Sequence, residues 1–177
     1  SGRVFKSTNA GNNWTAVNTP TVQNYYAVSF TDTLNGSITG ANGTILRTTN
    51  MGTSWVQQTS GTTRKLYDIY LTNNQLGTVV GEEGTILTTT DGGASWSAQN
   101  SGTTQHLNSV WFVKNAGLHQ IGYAAGDSGV ILKTTNGGTA WVQLVSLTSK
   151  NLNALAFTTP ERGAAAGEGG VVEYTTD

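Results

Sequence analysis

The chain contains no cysteine, two prolines and few charged residues among its 177 positions. Without cysteine, disulfide bonds cannot indicate the redox compartment of the protein. A charged fraction of 11% and a formal net charge of -1 give no electrostatic case for binding nucleic acid or an anionic membrane. The chain also lacks any run of about 18 apolar residues, so we expect no membrane-inserted helix. Helical spacing of apolar residues with capping signals is nearly absent, which argues against a helical fold.

Glycine is abundant, at 23 residues, and one eight-residue phrase recurs along the chain. The four copies occupy 7–14, 48–55, 89–96 and 134–141, and the first three residues recur at 175–177. Successive copies begin 41, 41, 45 and 41 residues apart. A fixed period of this length is typical of repeat architectures, in which each unit is completed by its neighbours.

One repeat unit reads as four short strands, which we label A to D from the inside of the fold outward. In the second full unit the strands fall at 66–72, 76–81, 84–90 and 96–99, separated by Gly- and Asn-containing turns. Short strands with such turns are typical of antiparallel hairpins. Four strands in about 41 residues match one β-propeller blade. We therefore predict an all-β fold, a β-propeller built of four-stranded antiparallel blades.

The repeat phase predicts a single propeller domain over residues 1–177, with units beginning near 25, 66, 107 and 152. The N-terminal segment 2–18 then supplies strands C and D of another blade, so about four repeats and one extra strand are present. The ends can close into a ring of four blades. Because the spare strand would then leave a pairing edge exposed, we favour an arc of a larger propeller. The third unit carries four extra residues in its A–B turn, around 114–120.

The recurrent phrase is expected to form the C–D turn of each blade. Its third residue, Asn or Asp, can accept a hydrogen bond from an amide two residues on. Its glycine can adopt positive φ, and its tryptophan is expected to pack inward on the sheet. We interpret these residues as structural rather than catalytic. They are Asn9, Gly11 and Trp14; Asn50, Gly52 and Trp55; Asp91, Gly93 and Trp96; and Asn136, Gly138 and Trp141.

The phrase, S/T-x-D/N-x-G-x-T/S-W, resembles the Asp-box, also called the bacterial neuraminidase repeat. The longer unit is similar to the repeat of the photosystem II assembly and stability factor family. This resemblance covers nearly the entire chain and implies a β-propeller. It does not imply one function, because Asp-boxes occur in sialidases, xyloglucan hydrolases, sorting receptors and non-enzymatic adhesins. Aspartate stands in the box only at Asp91 and Asp177, and Asn13 replaces the usual Ser or Thr.

Catalytic residues are hard to find in this sequence. A sialidase needs an arginine cluster, whereas only four scattered arginines are present. A glycosidase needs two carboxyl groups about 5–10 Å apart. Asp68 is the best candidate because alanine or serine occupies the equivalent positions, but we interpret it as a solvated or hydrogen-bonded residue near the axis. His106 and His119 are isolated, so we expect no metal site and no cofactor.

Variable polar loops give the better candidate site. In a propeller the D–A and B–C links gather on one face, around the mouth of the axis, and such loops on a rigid scaffold commonly bind ligands. Their alternative role is merely to keep the protein soluble. The candidate binding residues are Arg64, Lys65, Asp68, Glu82, Glu83, His106, Asp127, Lys150 and Glu168. Tyr25, Tyr26, Tyr67, Tyr70 and Trp111 can also line the mouth, although packing between blades is the commoner use of such residues.

Three functional hypotheses follow. The first is a non-catalytic propeller module that binds a protein or glycan in a secreted or envelope-associated protein, with association through the unpaired terminal strand or with further blades. The second, implied by the family resemblance, is a photosystem assembly factor that binds a partner protein in the thylakoid lumen or a periplasm. The third is a fragment of an Asp-box glycoside hydrolase, with Asp68 as its acid or base.

Overall fold

The computed structural model describes residues 2–113 and 121–176 of the chain. Within these ranges the regular structure is β-strand, apart from three single 3₁₀ turns at Glu82–Gly84, Asp127–Gly129 and Glu168–Gly170. Over the same ranges, no helix has the length and apolar character needed to cross a bilayer. The extra residues of the third A–B turn, with His119, and the terminal Asp177 lie outside the described residues.

The strands form five antiparallel sheets in chain order. The N-terminal sheet holds β1 (Val4–Lys6) and β2 (Thr15–Val17). Blade I holds β3 (Tyr25–Phe30), β4 (Gly36–Gly40), β5 (Ile45–Thr48) and β6 (Val56–Gln58). Blade II holds β7 (Leu66–Leu71), β8 (Gly77–Gly81), β9 (Ile86–Thr89) and β10 (Ser97–Gln99). Blade III holds β11 (Leu107–Phe112), β12 (Gly122–Gly126), β13 (Ile131–Thr134) and β14 (Val142–Leu144). The C-terminal sheet holds β15 (Leu152–Phe157), β16 (Gly163–Gly167) and β17 (Val172–Thr175).

These sheets confirm the predicted fold. Each complete blade is a meander in which neighbouring strands pair in sequence order, and the N- and C-terminal sheets hold the strands expected at positions C–D and A–C. Strand B of every complete blade is buried along its full length, since it lies between two paired strands and between two neighbouring sheets. Its first glycine makes room for strand A of the same blade: a Cβ added to Gly36 or Gly122 would meet the ring of Phe30 or Phe112.

The hydrophobic core lies between successive blades. Val80 and Ile86 of blade II pack against Val110, Phe112 and Leu132 of blade III in one cluster. Further clusters join the N-terminal sheet to blade I, blade I to blade II, and blade III to the C-terminal sheet. Because each cluster needs side chains from two sheets, the blades are stabilised by their neighbours.

Large apolar side chains are exposed near both ends of this arc. Val28 and Phe30 on blade I are 58% and 44% exposed, because the neighbouring N-terminal sheet holds only strands C and D among the described residues. Val172 and Tyr174 on β17 are 61% and 80% exposed at the other end. None of the hydrophobic clusters of the described residues joins the N-terminal sheet to the C-terminal sheet. The fold is therefore an open arc of a propeller rather than a closed ring of four blades.

The C–D turns differ from the expected hydrogen-bond pattern in one respect. In the second box the Asn50 Oδ1 accepts from the amide of Ser54, four residues on rather than two, at 3.0 Å. The Thr48 hydroxyl donates to the same oxygen and accepts from the amide of Gly52, at 3.0 Å. The side chain of the third residue thus reaches across the whole turn, and in the other three boxes it likewise accepts from the amide of the seventh residue.

The box tryptophans also differ among themselves. Trp55 and Trp141 are 6% and 9% exposed, whereas Trp14 is 63% exposed. Trp55 packs edge-on against Phe30, and Trp141 packs in the same way against Phe112, so each indole is covered by strand A of its own blade. The expected inward packing is wrong for Trp14, because the N-terminal sheet has no strand A.

Candidate functional site

Strand A of each blade and of the C-terminal sheet has the same backbone irregularity near its first residue. The A–B pairing shifts register at the second residue of strand A in blades I to III and in the C-terminal sheet. An extra residue of this kind is left unpaired and its side chain is re-aimed, as in a β-bulge. The four residues so placed are Tyr26, Tyr67, Asn108 and Asn153.

The B–C links lie against the D–A links because glycine permits it. A Cβ added to Gly126 would lie 1.8 Å from the carbonyl oxygen of His106, so only glycine fits there. The amide of Asp127 donates to the same carbonyl at 2.9 Å, and the amide of Glu82 donates to Lys65 in the equivalent place. The predicted gathering of these two sets of links thus has a backbone cause. We call the surface they form the axial rim. It comprises Tyr26, Arg64, Lys65, Tyr67, Glu82, Glu83, His106, Asn108 and Asp127.

Aromatic rings form one part of the axial rim. The ring centroids of Tyr26 and Tyr67 are 5.7 Å apart, and those of Tyr67 and His106 are 6.1 Å apart. Tyr26 is 41% exposed, so part of this row faces solvent. The amide of Glu83 donates to His106 Nδ1 at 3.0 Å, which fixes the imidazole ring against the B–C link of blade II.

Two ion pairs neutralise the cationic side chains of blade II. Lys65 Nζ donates to Glu82 Oε1 at 2.7 Å, and the Lys65 amide donates to the other carboxylate oxygen at 2.9 Å. These hydrogen bonds lower the pKa of Glu82 and raise the pKa of Lys65. Arg64 pairs with Glu83 on the same links. Both pairs are partly exposed, so they orient the links more than they stabilise the fold.

Amides replace aromatic residues on the rim of blade III. Asn108 Nδ2 donates to Asp127 Oδ1 at 2.9 Å and to the carbonyl oxygen of Leu152 at 3.1 Å. Asn151 Nδ2 donates to Glu168 Oε1 at 3.3 Å on the C-terminal sheet. The amide of Lys150 donates to Thr148 and its side chain is exposed. The rim therefore changes from aromatic to amide character along the arc.

Asp68 lies on the inner strand of blade II and caps backbone amides. Its Oδ2 accepts from the amide of Val110 at 2.8 Å, and its Oδ1 accepts from the amide of Ile69, also at 2.8 Å. Inner strands have no further strand on their axial side, so such amides need side-chain partners. Burial raises the pKa of Asp68, and the amide hydrogen bonds partly oppose that shift. Both carboxylate oxygens are thus engaged, Oδ1 with its own strand and Oδ2 with the inner strand of the next blade.

Two further residues with the role of Asp68 were not predicted from the sequence. Ser29 accepts from the amide of Leu71 at 3.0 Å, and Ser109 accepts from the amide of Leu155 at 3.3 Å, in the same manner as Asp68. A short polar residue on an otherwise apolar inner strand is the signal that would have revealed them. Among residues 2–113 and 121–176, no group of three His, Asp or Glu side chains is arranged to hold a metal ion.

The chain matches the model of a known family, described as Photosynthesis system II assembly factor YCF48, over residues 54–152. A solved structure of YCF48 bound to D1 peptide superposes with a TM-score of 0.70 at 25% identity, covering 92% of this chain and 56% of that one. YCF48 from Cyanidioschyzon merolae gives a TM-score of 0.75 at 19% identity, covering 99% and 63%. This chain therefore spans less than two thirds of either YCF48 chain.

A more distant structural neighbour, an ancestral GH74 enzyme, gives a TM-score of 0.70 at 17% identity, covering 97% of this chain and 28% of that one. Identity at that level supports a shared fold alone. A search of curated proteins finds no significant match. The YCF48 family model covers more than half of the described repeats, including the links from Arg64 to Asp127. The chain is a member of the Photosynthesis system II assembly factor YCF48 family.

Proposed function

We propose that this chain is the partner-binding propeller of an assembly factor of the YCF48 type, acting without catalysis. The observation that carries the proposal is the family match over residues 54–152, because this segment contains most of the axial rim. The YCF48 structure determined with a D1 peptide supports a segment of a protein as the partner class. The family assignment also favours the thylakoid lumen over an extracellular setting.

The rim has the properties expected of a peptide-binding surface. Its links are held in place before binding by Gly126, by the Lys65–Glu82 pair and by the bond from Glu83 to His106. Preorganisation of this kind reduces the entropy lost on binding. The exposed ring of Tyr26 supplies apolar contact area, and interfaces often concentrate binding energy in such aromatic residues.

Asp68 supports the non-catalytic part of the proposal. A glycosidase acid or base must exchange a proton with the substrate or with water. Both oxygens of Asp68 instead accept hydrogen bonds from backbone amides of blades II and III. We therefore assign Asp68 to the support of the inner strands. When the parent chain and Asp68→Ala are assayed against a panel of polysaccharides, neither protein should show hydrolysis.

Binding to a D1 peptide, with a scrambled peptide for comparison, tests the proposal by calorimetry. We expect Tyr67→Ala and the double change Arg64→Ala with Glu83→Ala to weaken binding by about tenfold or more. Arg162→Ala is the matched control, because Arg162 is an exposed cation in an A–B turn, at the other end of the sheet from the rim. Equal affinity for the scrambled peptide, or equal loss in the control, would reject the rim as the binding surface.

A further inference from the structure

The B–C links of blades II and III are fastened to the following D–A link at the same backbone position. In blade II the amide of Glu83 donates to His106 Nδ1 at 3.0 Å. In blade III the equivalent residue, Ser128, donates from its amide to Asn151 Oδ1, also at 3.0 Å. His106 and Asn151 each stand directly before strand A of the next sheet. The two side chains therefore have the same role but different chemistry.

Blade I fastens its B–C link in a third way. The residue equivalent to His106 is Lys65, whose ammonium group has no lone pair with which to accept a hydrogen bond. The amide of Gly43 instead donates to the backbone carbonyl oxygen of Arg64 at 2.8 Å, one residue later in the link. Of these three bonds, the one in blade II alone has an acceptor that can gain a proton near neutral pH.

We propose that His106 is a proton-operated latch, which holds the B–C link of blade II when its imidazole is neutral and releases the link when the imidazole is protonated. The proposal does not rest on the partner assigned to the axial rim. The Glu83 amide needs a lone pair on Nδ1, so the neutral ring carries its proton on Nε2. In the imidazolium both nitrogens carry protons, and two N–H groups would face each other. Protonation therefore removes this bond, whereas the Asn151 side chain keeps its acceptor oxygen.

The backbone of Glu83 explains why the link moves once this bond is lost. Its φ is 52°, in the left-handed region, which is unfavourable for a residue with a side chain. Such conformations persist where surrounding contacts hold them. The residue on each side stays fixed, because the Glu82 amide donates to the Lys65 carbonyl oxygen at 2.9 Å. A Cβ on Gly84 would lie 2.0 Å from the carbonyl oxygen of Thr103, so the links are also in close contact there. The rearrangement is therefore confined to Glu83.

Glu83 connects the D–A links on both of its sides. Its carboxylate pairs with Arg64 on the link that enters blade II, and its amide bonds His106 on the link that enters blade III. The side chains of Arg64 and Glu83 are 48% and 60% exposed, so solvent competes for both. When the amide bond is lost, the carboxylate no longer has a fixed origin and the Arg64 guanidinium is held less firmly. Protonation of one ring therefore changes the arrangement of three links.

Charged and titratable side chains lie on every element packed against His106. They are Tyr67 on β7, Glu82 and Glu83 on the B–C link of blade II with their partners Lys65 and Arg64, and Asp127 on the B–C link of blade III. Three carboxylates and two cations give this group a formal charge of -1, which becomes zero when His106 is protonated. Burial raises the pKa of Tyr67, and the bonds between Lys65 and Glu82 raise the pKa of Lys65 and lower that of Glu82. These shifts are away from neutral pH, so the three groups keep their charge while a histidine titrates.

Nuclear magnetic resonance of the ¹⁵N-labelled 177-residue chain tests the latch directly. The background change His119→Gln leaves His106 as the sole histidine, so its titration is observed without overlap. At about pH 8 we expect the proton on Nε2 and a scalar coupling across the hydrogen bond between the Glu83 amide nitrogen and Nδ1. At about pH 5 this coupling should be absent. A proton on Nδ1 at the higher pH, or a coupling that persists after the ring has titrated, would overturn the proposal.

His106→Asn is the matched change, because it gives blade II the side chain that Asn151 supplies in blade III. Exchange of the Glu83 amide with water measures the result in both proteins at the same pH. At about pH 8 the parent and the variant should exchange at similar rates, and at about pH 5 the parent should exchange about fivefold faster. The Ser128 amide is the internal control and should exchange equally in both. If the Glu83 rates agree at both pH values, protonation of His106 does not release the link.

Asn151→His is the reciprocal change and keeps the proposal testable if His106→Asn fails to fold. It places a second imidazole at the equivalent position, where the Ser128 amide can donate to it as Glu83 does to His106. At about pH 5 the Ser128 amide of this variant should exchange about fivefold faster than in the parent chain, and at about pH 8 the two rates should be similar. If Ser128 is equally protected in both proteins at the lower pH, an imidazole at this position does not act as a latch and the proposal fails.

Discussion

The interface between blades II and III and the open face of blade I contain nearly the same residues in different surroundings. Val110 and Phe112 are 2% and 1% exposed, whereas their equivalents Val28 and Phe30 are 58% and 44% exposed. All four lie on strand A at matching positions. The position in the repeat therefore determines where a side chain points, and the neighbouring sheet determines whether it is buried.

This difference has consequences for stability along the arc. An interior blade is packed on both faces, and its burial contributes hydrophobic stabilisation from two sides. Blade I and the C-terminal sheet each have one face that is not covered in the same way. Equivalent substitutions should therefore have unequal effects, and their ratio measures how much of the stability comes from contacts between blades.

The largest effect is expected for Phe112→Ala compared with Phe30→Ala. Removal of the buried Phe112 ring should reduce the free energy of unfolding by about 3–5 kcal/mol, and Phe30→Ala should cost less than half as much. Urea unfolding measures both. If the two variants lose equal free energy of unfolding, the packing of a neighbouring blade does not determine the contribution of this ring.

The sequence was sufficient to predict the strands and their order. Four copies of the box fixed the phase, and the predicted second unit agrees with β7 to β10 within two residues at each boundary. Because the four copies agree, the strand pattern of each copy is more reliable than that of a single segment with alternating apolar and polar residues. The burial of a given copy was not predictable in this way. Trp14 carries the same local pattern as Trp141 and is exposed, because its covering strand is absent.

The sequence predicted that the links of the axial rim lie together, but not which of their side chains form pairs. Topology brought the links together, yet the pairing of Arg64 with Glu83 and of Lys65 with Glu82 depends on how closely neighbouring links approach. The close approach is set by backbone contacts at residues such as Gly126, which sequence spacing does not report. The role of Asp68 also depended on the free amides of the next inner strand, which become apparent only when blades are stacked.

The second prediction concerns the backbone amides of inner strands that donate to Asp68 and Ser109. Asp68→Ala should lower the free energy of unfolding by about 1–3 kcal/mol, because the amide of Val110 loses its acceptor in a half-buried place. Ser109→Ala is the matched change one blade further on, and its cost should be smaller because a neutral hydroxyl bonds Leu155 at 3.3 Å. Chemical unfolding measures both. If Asp68→Ala is no more costly than Ser109→Ala, the amide-capping role is wrong.

The third prediction compares the box turns. Met51 has a φ of 60°, in the left-handed region, while the equivalent residue of the fourth box is Gly137 with a φ of 72°. A side chain at positive φ is strained, so Met51→Gly should stabilise the protein by about 0.5–1 kcal/mol, after the entropy lost by glycine is included. Gly137→Ala should destabilise by a similar amount. A destabilising Met51→Gly, measured by thermal unfolding, would show that contacts of the Met51 side chain outweigh this strain.

The smallest effect is expected from the one complete box that contains aspartate. Ser95 donates to Asp91 from its hydroxyl at 2.6 Å and from its amide at 2.9 Å, and Thr89 donates from its hydroxyl at 2.8 Å. These bonds, the Ser95 hydroxyl first, hold the pKa of Asp91 below its usual value. A lowered pKa in the folded state stabilises the protein above the unfolded pKa of about 3.9, and this contribution is lost as the pH falls through the folded value.

Asp91→Asn should therefore make the third box behave like the other three, which close the same turn with asparagine. The unfolding temperature of the variant should fall less steeply than that of the parent chain below about pH 4. Asn50→Asp is the reciprocal change, since Ser54 and Thr48 can donate to it as Ser95 and Thr89 do to Asp91, and it should steepen the acid limb. The solvent-exposed position of both turns keeps these changes small. If the acid limb is the same in all three proteins, the charge of Asp91 does not contribute to folding, and the box depends only on an oxygen acceptor at its third position.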